Sequence, residues 1–352
     1  MPDEVTSTTA SDAAPDASSI GRSPRRAGAA QRGWRAIMPL AAPVCAVAGL
    51  AIFAPSYSLA STIVIYAIAA LGCNLLLGYT GLLSFGQGIF FGVGAFAAGL
   101  AFVHWDVQAP AGLLIATLAG AGVATAVGSL CILRRDVHFV MLTFAFASMF
   151  AYAVYLFKDV TGGENGLRGF PAMTLGAFGS TWLELDTGAV MFAVASVTFV
   201  AAYWALTRLT RSAFGATLMA IRENEDRAIA IGYPTMLFKL LAFTVSGLVS
   251  GIAGGLYAVY LGSVPDSALQ LETSTMILVM TILGGTGSLF GSFLGSLAYL
   301  LLSHYLAPTW DRWQILLAAA LLAVVLALRG GLWGGLRGAL AASAALVRGR
   351  VR

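Results

Sequence analysis

The sequence predicts an all-α fold, a polytopic transmembrane helical bundle of about nine to ten membrane segments. Three observations carry this. Charged residues make up 10% of the 352 residues and apolar ones 59%, whereas a soluble domain carries about 25% charged residues. The deficit leaves long uncharged runs: residues 36–57, 57–103, 107–133, 139–157, 187–207, 240–265 and 273–303 contain no Asp, Glu, Lys or Arg. A spanning helix needs roughly 20 apolar residues to cross about 30 Å of hydrocarbon, so several runs hold one helix and 57–103 holds two. The runs are also continuous, which is not the alternating pattern of a transmembrane β-strand.

Taken in order, residues 1–35 are rich in Ala, Ser, Pro and Arg with almost no large apolar side chain. They cannot bury enough surface to offset chain entropy, so a disordered cytoplasmic tail is expected. Arg25-Arg26 precedes an apolar stretch, as in a cleaved export signal. The acidic residues before it and the absence of a clear small-x-small site favour a retained first helix. A transmembrane domain over 36–330 follows, with candidate helices at 36–55, 57–77, 86–104, 110–133, 138–157, 187–206, 237–261, 272–284, 288–306 and 313–328. Segment 272–284 is too short to cross alone and ends in Gly284-Gly285-Thr286-Gly287-Ser288, which breaks or bends a helix. It tilts, extends into its flanks, or forms a re-entrant half-helix. Residues 331–352 form a basic tail.

Orientation follows from the basic residues. With the N-terminus inside, the cytoplasmic face receives 1–35, 78–85, 134–137, the loop 207–236, the break 284–288 and the C-terminal tail. Every Lys and Arg except Lys158, Arg168 and Arg312 then lies on that side or, like Lys239, at its membrane edge, as the positive-inside rule requires. An odd number of spans would place Arg329, Arg337, Arg348, Arg350 and Arg352 outside. Both termini are therefore expected in the cytoplasm.

The spans carry no acidic or basic residue near their centres. A proton relay through carboxylates, Lys or His is not supported, nor is a voltage sensor. A sodium site built from hydroxyls and carbonyls stays open. There is no HExxH, GxSxG or acid pair at catalytic spacing, so the chain does not read as an enzyme. It lacks a P-loop: that motif needs Gly-Lys-Ser/Thr, and the only lysines, Lys158 and Lys239, both follow Phe. Cys45, Cys73 and Cys131 lie in apolar runs without CxxC or a Cys/His cluster, which suits helix packing and gives no metal site. His104, His138 and His304 read as interfacial. No cofactor is expected on this chain.

Glycine marks the irregular places. One cluster runs Gly78-Tyr79-Thr80-Gly81-Leu82-Leu83-Ser84-Phe85-Gly86-Gln87, and another runs Gly284-Gly285-Thr286-Gly287-Ser288-Leu289-Phe290-Gly291. Thr80 to Gly86 resembles Thr286 to Gly291 with one residue deleted, and six segments lie between them. Interrupted segments at corresponding places in two halves point to a transport path. Broken backbone at membrane depth is tolerated where it is buried in protein or lines a cavity. Path candidates are Asn74, Tyr79, Thr80, Gly81, Ser84, Gln87, Gly284, Gly285, Thr286 and Gly287. Gly247, Gly251 and Gly255, like Gly287, Gly291 and Gly295, form stripes four apart that let helices approach closely.

The longest charged segment between spans centres on Arg222-Glu223-Asn224-Glu225-Asp226-Arg227-Ala228, with Gly232 as a stop and Pro234 behind it. Residues 213–231 mix apolar and charged positions as a surface helix does. By itself this is a solvated loop helix or a docking helix for a soluble partner.

Together these motifs resemble the branched-chain amino-acid permease family of ABC importers, LivM type, over about residues 57–335. The resemblance implies partners: a second homologous permease, two ATPase subunits that bind the ATP, an extracytoplasmic solute-binding protein and the lipid bilayer, with no nucleic acid. It implies the inner (cytoplasmic) membrane of a bacterium and alternating access as the mechanism. It assigns ATPase coupling to Arg222, Glu223, Asn224, Glu225, Asp226, Arg227, Ala228 and Gly232. The match to the general importer pattern Glu-Ala-Ala-three-Gly is loose, since Asp226-Arg227 replace the two alanines and the glycine comes one residue late. Related importers for urea, short amides or another small polar solute look alike in their permeases. A self-sufficient channel or sodium-coupled carrier is the alternative from another class.

Overall fold

Uninterrupted apolar runs leave the backbone no water to bond to, so each satisfies its own amides as a helix. The computed structural model describes residues 42–335 apart from 53, 106, 171–173, 178–179, 185–187, 309–311 and 328–329. The tail expected over 1–35 and residues 336–352 of the basic tail lie outside the described residues.

Helix α1 covers Ala42–Ile52. Helix α2, Tyr57–Asn74, is opened by Ser56, whose hydroxyl accepts from the Leu59 amide at 3.2 Å. It passes into a π-helical turn, Leu75–Thr80, that stops at Gly81 with φ 75°. A left-handed φ of this kind favours glycine. Then come α3 (Gln87–Trp105), α4 (Ala109–Cys131), with Pro110 in its first turn, and α5 (Asp136–Leu156). Helix α6 (Gly188–Thr210) leads to the short α7 (Ala213–Glu223) and α8 (Glu225–Ala230), and these to the long α9 (Thr235–Leu261). Helices α10 (Leu271–Gly284), α11 (Leu289–Leu306) and α12 (Trp313–Ala327) complete the order.

One expectation changes and one is met in part. The chain is nearly all helical but not wholly so: between α5 and α6, strands Thr174–Ala177 and Ser180–Glu184 pair antiparallel, with a bulge between Leu175 and Gly176. The sequence reading placed no strand in that loop, whose short apolar pieces lack the length of a span. Of the expected nine to ten membrane segments, seven helices among the described residues are long and apolar enough to cross a membrane: Tyr57–Thr80, α3, α4, α5, α6, α9 and α11. Helices α1, α10 and α12 are the shorter apolar ones. The 14 residues of α10 reach only about 21 Å at 1.5 Å per residue.

Helix α9 packs against α2, α3 and α4. The Gly247–Gly251–Gly255 stripe is where α4 fits. A Cβ on Gly251 would lie 2.6 Å from the Ala116 carbonyl, closer than real Cβ atoms come, and a tight 3.1 Å from the Gly120 Cα. The second stripe likewise seats α11 on α10, Gly291 facing Gly284. Both are the tight packing that small residues permit.

Segments assigned to one face do meet. Arg135 bonds Asp226, Arg222 bonds the Gly78 carbonyl, and the Gly287 amide bonds Asn74. At the other end Leu167 pairs with Val264, and Tyr155 donates to Asp266 at 2.8 Å.

The non-helical stretch 81–86 lies inside the bundle. Phe85 donates its amide to Thr143, two turns into α5. Gln87, opening α3, bonds Ser246, three turns into α9. The stretch before α10 enters from the opposite end. Gly99, Gly92 and Gly88 of α3 pack in turn against Val264, Leu269 and Ser274, so residues 264–274 descend along α3. Helix α10 therefore starts within the bundle and runs on to the Gly284–Ser288 break at the other end, so that the stretch and the half-helix together cross it.

Candidate functional site

The two glycine breaks are in contact. Asn74, fully buried one residue before the π turn, donates to the Ser288 carbonyl at 2.8 Å and to the Ser292 hydroxyl at 2.9 Å, and accepts from the Gly287 amide at 2.9 Å. Its side chain thus closes the second break from within the first. Gly78 admits this approach: a Cβ there would collide with Asn74 Oδ1 and the Gly287 amide. Gly285 and Gly287 have φ of 112° and 88°, which turns the chain sharply enough for Ser288 to cap α11 through the Gly291 amide.

A charged helix pair sits against the breaks. Helix α7 buries Leu218 and Ile221 and carries Arg222 on its last turn. Arg222 donates through Nη1 to the Gly78 carbonyl, and its stem lies over Gly81, where a Cβ would come within 3.1 Å of its Cγ. Asn224 separates the two helices and caps α8 by accepting from the Arg227 amide at 2.9 Å. Helix α8 buries Ala228, and Gly232, with φ 94°, turns the chain into α9. Glu223, Asp226 and Arg227 are exposed.

Glu225 faces inward. It pairs with Lys239 at 2.6 Å and Arg135 at 3.9 Å and accepts from the Thr235 hydroxyl at 3.4 Å. Lys239 is buried on the first turns of α9. Arg135 bonds Asp226 at 2.9 Å, and the hydrogen bond to Asp226, then the charge of Glu225, raise its pKa above the usual arginine value. Between this network and the first break lies a cavity of about 480 Å³, lined by Thr80–Leu83, Phe139, Arg222, Glu225 and Lys239 among others.

The remaining candidates divide. Gln87 is fully buried and bonded to α9: its amide donates to Ser246 at 2.9 Å and accepts from Ser250 at 2.7 Å, while Ser246 also bonds the Gly72 carbonyl at 2.8 Å. Thr80 donates to the Leu76 carbonyl, and Ser84 accepts from the Gly86 amide at 3.1 Å. Tyr79 is half-buried, Gly284 and Gly285 are buried, and Gly81, Thr286 and Gly287 are exposed. Sequence reasoning missed Arg135 and Lys239 as partners of Glu225, and Ser246, Ser250, Ser274 and Ser292 as bridging hydroxyls. The four-residue spacing of Ser246 and Ser250 was the available signal, since it puts both on one face of α9.

A bundle of apolar helices with two broken segments joined at one end, and a charged helix pair bearing on that joint, defines a multi-pass membrane protein of the transport class. Residues 56–326 match the family described as branched-chain amino acid transport system / permease component, and the chain belongs to that family. It is similar to the high-affinity branched-chain amino acid transport system permease protein LivM of Salmonella typhimurium, 26% identical over 77% of this chain and 68% of the relative. The LivM of Escherichia coli is 27% identical over 76% of this chain and 67% of the relative. The autoinducer 2 import system permease protein LsrC of Enterobacter sp. is 27% identical, covering 68% of each chain. No solved structure matches the chain.

Proposed function

We propose that this chain is one permease subunit of an ABC importer for branched-chain or similar small amino acids, in the inner membrane of a bacterium with both termini cytoplasmic. Separate ATPase subunits supply the energy. A second homologous permease completes the path, and an extracytoplasmic binding protein delivers the substrate. In this reading α1, α10 and α12 join the seven longer helices as membrane segments, α10 completing a crossing whose first part is the stretch before it. The observation that carries it is Arg222, which reaches from the charged helix pair to the Gly78 carbonyl at the first break.

The mechanism follows from that linkage. An ATPase bound to the exposed face of α7–α8, at Glu223, Asp226 and Arg227, moves the pair as a unit. The Glu225–Lys239 and Glu225–Arg135 pairs carry the motion to α9 and to the start of α5, while Arg222 carries it to the Gly78 break. Asn74 passes it to Gly287, so both breaks shift together and the path switches from outward-open to inward-open. The similarity to LsrC supports a second reading, an importer for another small polar solute, in which only the cargo differs.

Affinity purification of the tagged chain in mild detergent tests the proposal. The expected outcome is co-purification of a second permease and two P-loop ATPases, with the ATPases lost when Glu223 and Asp226 are reversed in charge. Recovery of the chain alone, with transport by it in liposomes, would favour a sodium-coupled carrier or channel.

A further inference from the structure

One carboxylate is carried into the membrane by the fold. Glu272 stands at the edge of an apolar run and reads locally as the outer end of a helix. The descent of residues 264–274 along α3 removes it from that edge: Ser274, two residues on, accepts from the Gly88 amide at 2.8 Å, beside the first turn of α3 rather than its last. Glu272 also lines one cavity with Tyr299, which sits near the middle of α11. It is exposed, and it forms no hydrogen bond or ion pair among the described residues.

The carboxylate opens onto a cavity of about 380 Å³ between α10, α11 and α12. Glu272, Tyr299 and Gln314 line it together with aliphatic side chains that include Val279 and Leu317. The α10 N-terminus favours a negative charge there, but a carboxylate facing acyl chains is costly, and intramembrane ionisable groups belong to substrate paths or pair with other charges. A groove of this composition needs a cation.

We infer that this groove is a substrate-binding station on the transport path, in which Glu272 takes the ammonium group of an aliphatic amino acid. The Gln314 amide and Tyr299 hydroxyl are the donors for the substrate carboxylate, and the aliphatic wall receives the alkyl side chain. The inference rests on the importer reading. It adds a charge-selective contact within the membrane to the selection made by the binding protein.

The test uses the assembled importer in proteoliposomes with radiolabelled leucine. Glu272→Gln is expected to lower uptake at least tenfold while binding-protein-stimulated ATP hydrolysis stays within twofold of wild type, and Glu272→Asp to retain part of the uptake. In a second measurement the three native cysteines are replaced by alanine and Thr275, on the same cavity wall, is changed to Cys. Leucine is expected to slow its reaction with a cationic thiol reagent at least fivefold, and Glu272→Gln to abolish that protection. Wild-type uptake by Glu272→Gln, or unprotected Cys at 275, would overturn the inference. Loss of the second permease from Glu272→Gln would overturn it in favour of an ion pair between subunits. Absence of ATP-dependent leucine uptake by the wild-type complex would instead remove the importer reading beneath it.

Discussion

Replacing Lys239 by Met leaves Glu225 without its nearest cation. The pair is short, 2.6 Å, and the Lys239 side chain is only 8% exposed. At an effective dielectric of 20 the bare Coulomb attraction at that distance is about 6 kcal/mol. Desolvation of both groups offsets much of it. Glu225 is 22% exposed and keeps Arg135 at 3.9 Å, which softens the loss further. The expected cost of Lys239→Met is therefore about 2–3 kcal/mol, below the 3–5 kcal/mol of a fully buried pair broken on one side. Glu225→Gln together with Lys239→Met removes both charges and is expected to recover about half or more of that loss. Denaturant-induced unfolding in detergent micelles, run as a double-mutant cycle, reads the coupling. A single-mutant cost within 0.5 kcal/mol of zero, or strictly additive effects, would refute the claim that this pair fastens α8 to α9.

Other substitutions probe the joint and the packing. Asn74→Ala removes three hydrogen bonds; at about 0.6 kcal/mol for each intramembrane bond it is expected to cost about 2 kcal/mol, read as a lower Tm of the purified chain. Gly251→Leu is expected to prevent a stable fold by forcing α9 off α4, while Gly122→Ala on the open side of α4, where a Cβ meets nothing, leaves Tm unchanged by differential scanning fluorimetry. Gly232→Ala puts a side chain at φ 94° and is expected to cost about 1–2 kcal/mol. Proteolysis should show the turn between α8 and α9 cut faster than in wild type.

The helices were legible because apolar runs in a membrane have one way to satisfy their backbone. Each run bounded by Gly, Pro or charge became a helix within a few residues. The breaks were legible too, since Gly81, Gly285 and Gly287 adopt φ values that favour glycine. Their meeting was not: Asn74 and Gly287 are 213 residues apart, and nothing in either motif names the other. Arg222 reads as a surface charge from its neighbours, yet its guanidinium bonds the Gly78 carbonyl. Gln87 is a path candidate by its motif, and its partners Ser246 and Ser250 lie more than 150 residues further along the chain. The depth of Glu272 depends on how residues 264–274 pack along α3, a tertiary fact that a local run of residues does not encode.

ATP-driven uptake into proteoliposomes is the decisive measurement of whether this chain is the permease of an ATP-driven importer. The chain is reconstituted with a second permease, its ATPases and a binding protein, with ATP enclosed on the ATPase side. Leucine uptake is expected to require both ATP and the binding protein, and to be lost in Arg222→Ala while ATPase assembly persists. Uptake by this chain alone, or undiminished uptake in Arg222→Ala, would contradict it.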